Sequence, residues 1–313
     1  MSDPVDIYGY IERARISALW EQIDVPDGAV KRAFYHFDNS DYTQIAPHFS
    51  GLFDKETAAT ASAAINALCT DSDGAQADDG FKAMSVYMAA ALRVRELYDE
   101  VGIDPDIYAD TMRFLRTVIN HNMRIYGRLC FDREYWFYRQ ISMVLFRLGA
   151  LEYEMRSVEK HRLCASFTEH GPKTDNGVCD TADEHVPVLS VHIPGDAVMT
   201  RENLNRSYNA AAEFFSRFYP EYAYRHIFCS TWLLSPELKA FLPESSRILE
   251  FQSDYEIVQT FDDSNFIYWV YDTQEKEPDL NTLPEDTSLR RAIKRHLISG
   301  GRIGSASGVY RGR

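Results

Sequence analysis

The chain has 313 residues, of which 45% are hydrophobic, 13% aromatic and 26% charged, a globular composition that excludes fibrous and disordered classes and suffices for two cores. Lys and Arg number 33 against 47 Asp and Glu, a net charge of −14, and a surface this acidic repels phosphate backbones and anionic head groups. Nucleic acid and membrane partners are therefore not expected. The start of the chain carries Asp3, Asp6 and Glu12 rather than a basic, then apolar, leader, and no stretch approaches ~18 consecutive apolar residues. The five cysteines, Cys69, Cys130, Cys164, Cys179 and Cys229, are odd in number and scattered, so free thiols in a reducing, cytoplasmic compartment are expected.

Apolar residues recur at helical spacing up to Leu148. Phe81, Met84, Met88, Ala91, Leu92 and Tyr98 form one stripe that stops at Gly102, which reads as a C-cap. Asp104-Pro105 supplies an N-cap with proline at the first helical position, and Tyr108, Met112, Leu115 and Ile119 follow on one face. Phe137, Ile141, Val144, Leu145 and Leu148 predict a further helix ending at Gly149. Residues 1–147 are thus expected to form an all-helical N-terminal domain.

The pattern changes after Gly149. Leu151, Tyr153 and Met155 alternate with Glu152 and Glu154, a strand with two carboxylates on one face. A polar insertion near 157–184 precedes a strand at 188–193 that ends at Pro194-Gly195. Thr200 is a plausible N-cap for a helix whose apolar face is Leu204, Tyr208, Ala211, Ala212, Phe215, Phe218 and Tyr219. Strands are expected at 227–234, 248–259 and 266–271, the last two joined by the Asp262–Asn265 turn, with a short helix at 236–242. A final helix through Leu289, Ile293 and Leu297 ends at Gly300-Gly301, followed by a flexible Gly/Arg-rich tail. Strand, helix, strand with short connections implies parallel neighbours, so residues 148–313 read as a mixed-sheet domain and the whole chain as α+β.

The blocks Leu148–Glu154, Val191-His192-Ile193-Pro194-Gly195, Ser207 with Ala211–Phe215, Cys229-Ser230-Thr231-Trp232-Leu233-Leu234 and Ile248–Tyr255 together resemble bacterial acyltransferase-domain proteins, which pair a helical N-terminal domain with a GNAT-like C-terminal domain. The resemblance implies that acyl-coenzyme A lies in a V-shaped opening between the strands at 188–193 and 227–234. It also implies that Ile193, Gly195, Thr200 and Arg201 hold the cofactor's phosphates at the helix N-terminus, while Trp232 either stacks on the adenine or, as large aromatics in strands usually do, packs in the core. The loop Pro194–Arg201 departs from the usual basic, glycine-rich form, with one glycine and with Asp196, whose charge Arg201 is placed to offset.

Acyl transfer from a thioester to an amine needs a base, oxyanion donors and an acid for the leaving thiolate. His192, Glu152 and Glu154 are the base candidates. For the glutamates the competing reading is a solvated strand face, and for His192 a bond to a nearby carbonyl. Cys229 and Ser230 point to opposite strand faces, so one of them faces the opening; a Cys229 acyl-enzyme competes with direct attack. No metal is expected: His161, Cys164, His170, Cys179 and His185 lack the spacing of a zinc knuckle. The expected activity is transfer from acyl-coenzyme A to a small amine, the alternative a catalytically inactive ligand-binding or regulatory module.

Overall fold

A computed structural model describes residues 5–70, 77–163, 167–168, 171–172 and 184–312. They divide into two compact units, one running up to Glu154 and including Pro194–Asp196, the other Met155–Ile193 with Ala197–Arg313. Among the described residues, no helix is long and apolar enough to cross a membrane.

The first unit is helical: α1 (Arg13–Ile23), α2 (Asp27–Asn39), α3 (Ala46–Phe49), α4 (Ala58–Leu68), α5 (Phe81–Val101), α6 (Pro105–Met112), α7 (Phe114–Tyr126) and α8 (Glu134–Ile141). α5 is its core element, with Ala83, Met84, Val86, Tyr87, Met88, Ala89, Ala90 and Ala91 fully buried; the alanines let neighbouring helices approach closely. Gly102 caps it at φ 78°, and the Asp104 carboxylate accepts the Asp106 N–H at 2.8 Å, both as the sequence implies. The expected helix through Leu148 instead stops at Ile141. Met143 takes a left-handed backbone (φ 55°), and Leu145–Leu148 form strand β1, paired antiparallel with β2 (Leu151–Glu159) across Gly149 at φ 75°. Gly149 therefore belongs to a two-residue hairpin, not a helix cap. The misreading has a physical source, because all four residues of β1 are buried and show no period-two alternation.

The second unit holds the rest of the mixed sheet. Its strands are β3 (Phe167–Thr168) and β4 (Gly171–Pro172), a separate two-stranded ladder, then β5 (His185–His192), β6 (His226–Thr231), β7 (Tyr255–Phe261) and β8 (Ser305–Tyr310). The six-stranded sheet has the order β1-β2-β5-β6-β8-β7. Helix α9 (Arg201–Phe218) connects the parallel pair β5 and β6, as expected, and buries Leu204, Ser207, Tyr208, Ala211, Phe214 and Phe215. Ala212 is exposed.

Three predicted elements differ. The strand expected at 227–234 ends at Thr231, and Trp232–Leu234 form a 3-10 turn capped by the Thr231 hydroxyl. The strand expected at 248–259 is α10 (Arg247–Gln252) followed by β7. The segment 266–271 is no strand but α11 (Asn265–Tyr271): its aromatic and β-branched content favours strand locally, yet Phe266, Ile267, Val270 and Tyr271 bury at helical spacing, so packing overrides propensity. These four join Leu238, Leu283, Ile293 and Ile303 in one apolar cluster, to which α12 (Ser288–Ile298) contributes Ile293. The C-terminal segment, expected as a flexible tail, supplies β8, a central strand paired antiparallel with both β6 and β7.

Candidate active site

In the second unit β5 and β6 run parallel in register from Val188 opposite His226 to Val191 opposite Cys229, and there the pairing ends. β6 continues to Thr231 along β8, pairing Ser230 with Ser307 and Thr231 with Ala306, while β5 runs on to His192. The two parallel strands therefore part at their C-terminal ends. His192, half-buried, and Ser230, exposed, are the first residues past the last pair. Beyond Cys229 the ladder gives β6 no partner on its β5 side, the condition under which an extended ligand adds to a strand edge.

Ser307 is fully buried and its hydroxyl donates to Ser230 Oγ at 2.9 Å, leaving the Ser230 proton directed elsewhere. Sequence reading missed Ser307 because it lies in the stretch expected to be a tail. Cys229 is completely buried on the opposite face, and burial pushes its thiol far up, so it packs as a small apolar residue and a thiolate acyl-enzyme route has no support here. Trp232 does not continue the strand beside Ser230: on its 3-10 turn it packs against Phe266 (ring centroids 6.5 Å apart) at the edge of the apolar cluster.

The proposed phosphate loop is also changed by its partners. Thr200 caps α9 as expected, accepting the Asn203 N–H at 3.3 Å. Arg201 does not offset Asp196. Its guanidinium donates to both Asp254 oxygens (2.8 and 2.7 Å) and to Glu250 Oε1 (2.9 Å), and Asp254 is only 1% exposed, so Arg201 anchors α9 to α10 and β7. Ile193 is half-buried. Gly195 is exposed, and a Cβ there would meet nothing nearer than Thr117 Cγ2 at 3.9 Å, so this glycine does not mark a close backbone approach.

In the first unit the carboxylates of β2 are not solvated: Glu152 is 5% and Glu154 8% exposed. Glu154 accepts from Arg139 Nε at 3.0 Å, with the Arg139 guanidinium over the Trp136 ring. Glu152 has its pKa raised to about 7. Burial is the main cause, the Arg147 cation opposes it, and the nearby Asp196 and Glu154 carboxylates add to it. Arg147 is engaged by Asp196, donating to its two oxygens at 2.8 and 3.1 Å. A carboxyl poised near neutrality is the electrostatic profile of a general base.

Of the possible metal ligands, Cys164, His170 and Cys179 lie outside the described residues, as does the side chain of His161, and His185 is exposed at the start of β5. Among the described residues no cluster of His, Cys, Asp or Glu is arranged to hold a metal.

Residues 145–310 match the GNAT-like C-terminal domain, more than half of the chain, and the protein belongs to that family. Residues 12–143 match the N-acyltransferase N-terminal domain. Two solved structures share the fold. An acyltransferase mutant, orf11*, in complex with octanoyl-CoA is 19% identical with a TM-score of 0.73, over 95% of this chain and 87% of that one. An acyltransferase in complex with decanoyl-CoA and teicoplanin is 20% identical with a TM-score of 0.67, over 94% and 86%. No curated protein matches the chain.

Proposed function

We propose that the protein is an acyltransferase that moves a medium-length acyl group from acyl-coenzyme A to a small amine by direct attack. The observation that carries this reading is the parting of β5 and β6 after Val191 and Cys229, with His192 on one lip and Ser230 on the other. Structures of the same fold hold octanoyl-CoA and decanoyl-CoA, which supports both the donor and its chain length. In this mechanism the pantetheine arm enters the opening along β6 beyond Cys229, and first-turn N–H groups of α9 meet the phosphates. The amine attacks the thioester carbonyl and His192 takes its proton. Strand N–H groups hold the oxyanion, and as the C–S bond breaks the Ser230 hydroxyl, oriented by Ser307, hydrogen-bonds the departing thiolate, which takes its proton from solvent while His192 releases the amine's proton to solvent.

The test is titration calorimetry with octanoyl- and decanoyl-CoA, followed by mass spectrometry of small amines and teicoplanin incubated with enzyme and donor. Donor binding and an acceptor heavier by one acyl group are expected. Absence of thioester binding at millimolar concentration would overturn the reading, and binding without any acylated product would favour a non-catalytic module.

A further inference from the structure

A second concavity, of about 420 Å3, lies in the C-terminal unit between the 3-10 turn Pro236–Ala240 and the last turns of α12. Ala240 and Phe241 form one wall; Ala292, Arg295, His296 and Ser299 form the other. The Phe241 and His296 rings stack with centroids 4.3 Å apart and an interplanar angle of 23°. His296 Nε2 lies 3.0 Å from the Arg302 carbonyl oxygen and donates to it, which fixes the imidazole. Gly301 makes room for it, since a Cβ at that position would stand 2.3 Å from ring atoms of His296.

The cleft is rimmed by arginines on a chain of net charge −14, with the Glu285 carboxylate acting on Arg291 and Arg295 from just before α12. Arg295 is exposed and makes no ion pair among the described residues; its Nε only reaches back to the Arg291 carbonyl at 3.3 Å. Arg291 and Arg302 are exposed nearby, Arg302 in a solvent-exposed pair with Asp262. The negative end of α12 does not cancel this charge, because the carbonyls of Arg295, His296 and Leu297 accept the N–H groups of Ser299, Gly301 and Gly300.

Chain connectivity sets the cleft at the end of the sheet where β5 and β6 part. The segment from Trp232 to Phe241 continues directly from the C-terminal end of β6, and Gly301–Gly304 leads into β8 at Ala306, opposite Thr231. At that end the loop before α9 has its one arginine, Arg201, committed to Asp254 and Glu250. A polyanionic donor needs cations that this loop does not supply.

We infer that this cleft binds the 3′-phosphorylated adenosine of coenzyme A, the base lying against the Phe241–His296 stack and the phosphate on Arg295. Stacking on aromatic faces and charge-assisted bonds from a guanidinium are the two interactions that such a group requires. The inference rests on the acyl-coenzyme A reading for the identity of the nucleotide, but not for its test.

Adenosine 3′,5′-bisphosphate, which has the nucleotide and no thioester, is titrated into the wild type, Arg295→Glu and Phe241→Leu. Arg295 is exposed, so its replacement leaves folding intact, and Phe241→Leu keeps the apolar bulk. Saturable binding to the wild type is expected, weakened at least about tenfold by Arg295→Glu, the loss of a charge-assisted bond and its replacement by repulsion, and weakened by Phe241→Leu. In turnover, Arg295→Glu is expected to raise KM for octanoyl-CoA with kcat unchanged, and to leave octanoyl-pantetheine, which lacks the nucleotide, unaffected. No binding to the wild type, or equal binding by all three proteins, overturns the inference. Arg295-dependent nucleotide binding in a protein that transfers from neither thioester refutes the acyltransferase reading alone.

Discussion

At the scale of single residues, His192 and Glu152 make opposite demands on the protein. His192 is the last residue of β5 and half-buried, so a role in chemistry predicts a large kinetic and a small structural cost for its loss. His192→Ala is expected to lower kcat/KM at least ~10²-fold while leaving Tm nearly unchanged. Unfolding without loss of specific activity would make His192 a structural residue. For Glu152 the linkage is signed. Its carboxyl titrates near 4.5 when unfolded and near 7 when folded, so between those values the native state holds a proton that the unfolded chain has lost. Stability therefore falls as pH rises from about 4.5 to about 7 and is level above, a total cost of roughly 3 kcal/mol. Glu152→Gln is expected to make that fall shallower in urea unfolding followed across this range, leaving the smaller contribution of buried Glu134, whose pKa burial also raises; parallel wild-type and variant curves would refute it. The carboxylate pair and the strand-end histidine were legible from alternation and position. Their environments were not: Arg139, Arg147 and Asp196, which set the charge around Glu152 and Glu154, come from α8, β1 and a distant loop, and no local pattern joins them. Arg201 shows the same limit, a basic residue at a helix N-terminus whose partners lie 49 and 53 residues on.

At the scale of elements, the sequence was most informative where a cap and a buried stripe coincide. α5 and α9 follow their caps and stripes closely and α6 follows its cap, because Gly102, Asp104 and Thr200 each act through a local bond or backbone preference, although the stripe through Tyr108, Met112, Leu115 and Ile119 is divided at Arg113 between α6 and α7. β8 was illegible for a physical reason: a strand between two neighbours has room only for small side chains, and Ser305, Ala306, Ser307 and Gly308 carry no hydrophobic alternation. A Cβ on Gly308 would sit 3.0 Å from Tyr255 Cβ and 3.2 Å from Leu234 Cδ1, so the smallness is a packing requirement. Removal of residues 305–313 would leave β6 and β7 without their common partner and expose two strand edges. The truncated chain is expected to lose sheet signal in circular dichroism and to be cut rapidly within the second unit by proteases. A soluble, protease-resistant truncation would show that β8 is dispensable.

At the scale of the whole molecule, the division of the chain into units does not follow a single cut. β2 begins in the first unit and ends in the second, and Pro194–Asp196 returns to the first. The family boundary near residue 144 therefore falls inside the first unit's own bonding: the Thr111 hydroxyl accepts the Arg147 N–H at 3.0 Å, Arg139 meets Glu154 at 3.0 Å, and β1 pairs with β2. A fragment of residues 1–143 keeps every helix of that unit yet loses the bonds that Arg139 and Thr111 make to the hairpin, a net loss of roughly 0.5–1.5 kcal/mol for each, together with the apolar burial of β1. A fragment of residues 1–159 restores the hairpin and both bonds. Thermal unfolding by circular dichroism is expected to be cooperative for the longer fragment, with a higher Tm than for the shorter. Equal Tm values would mean that the helices alone define the folding unit and that the β1–β2 hairpin adds nothing to it.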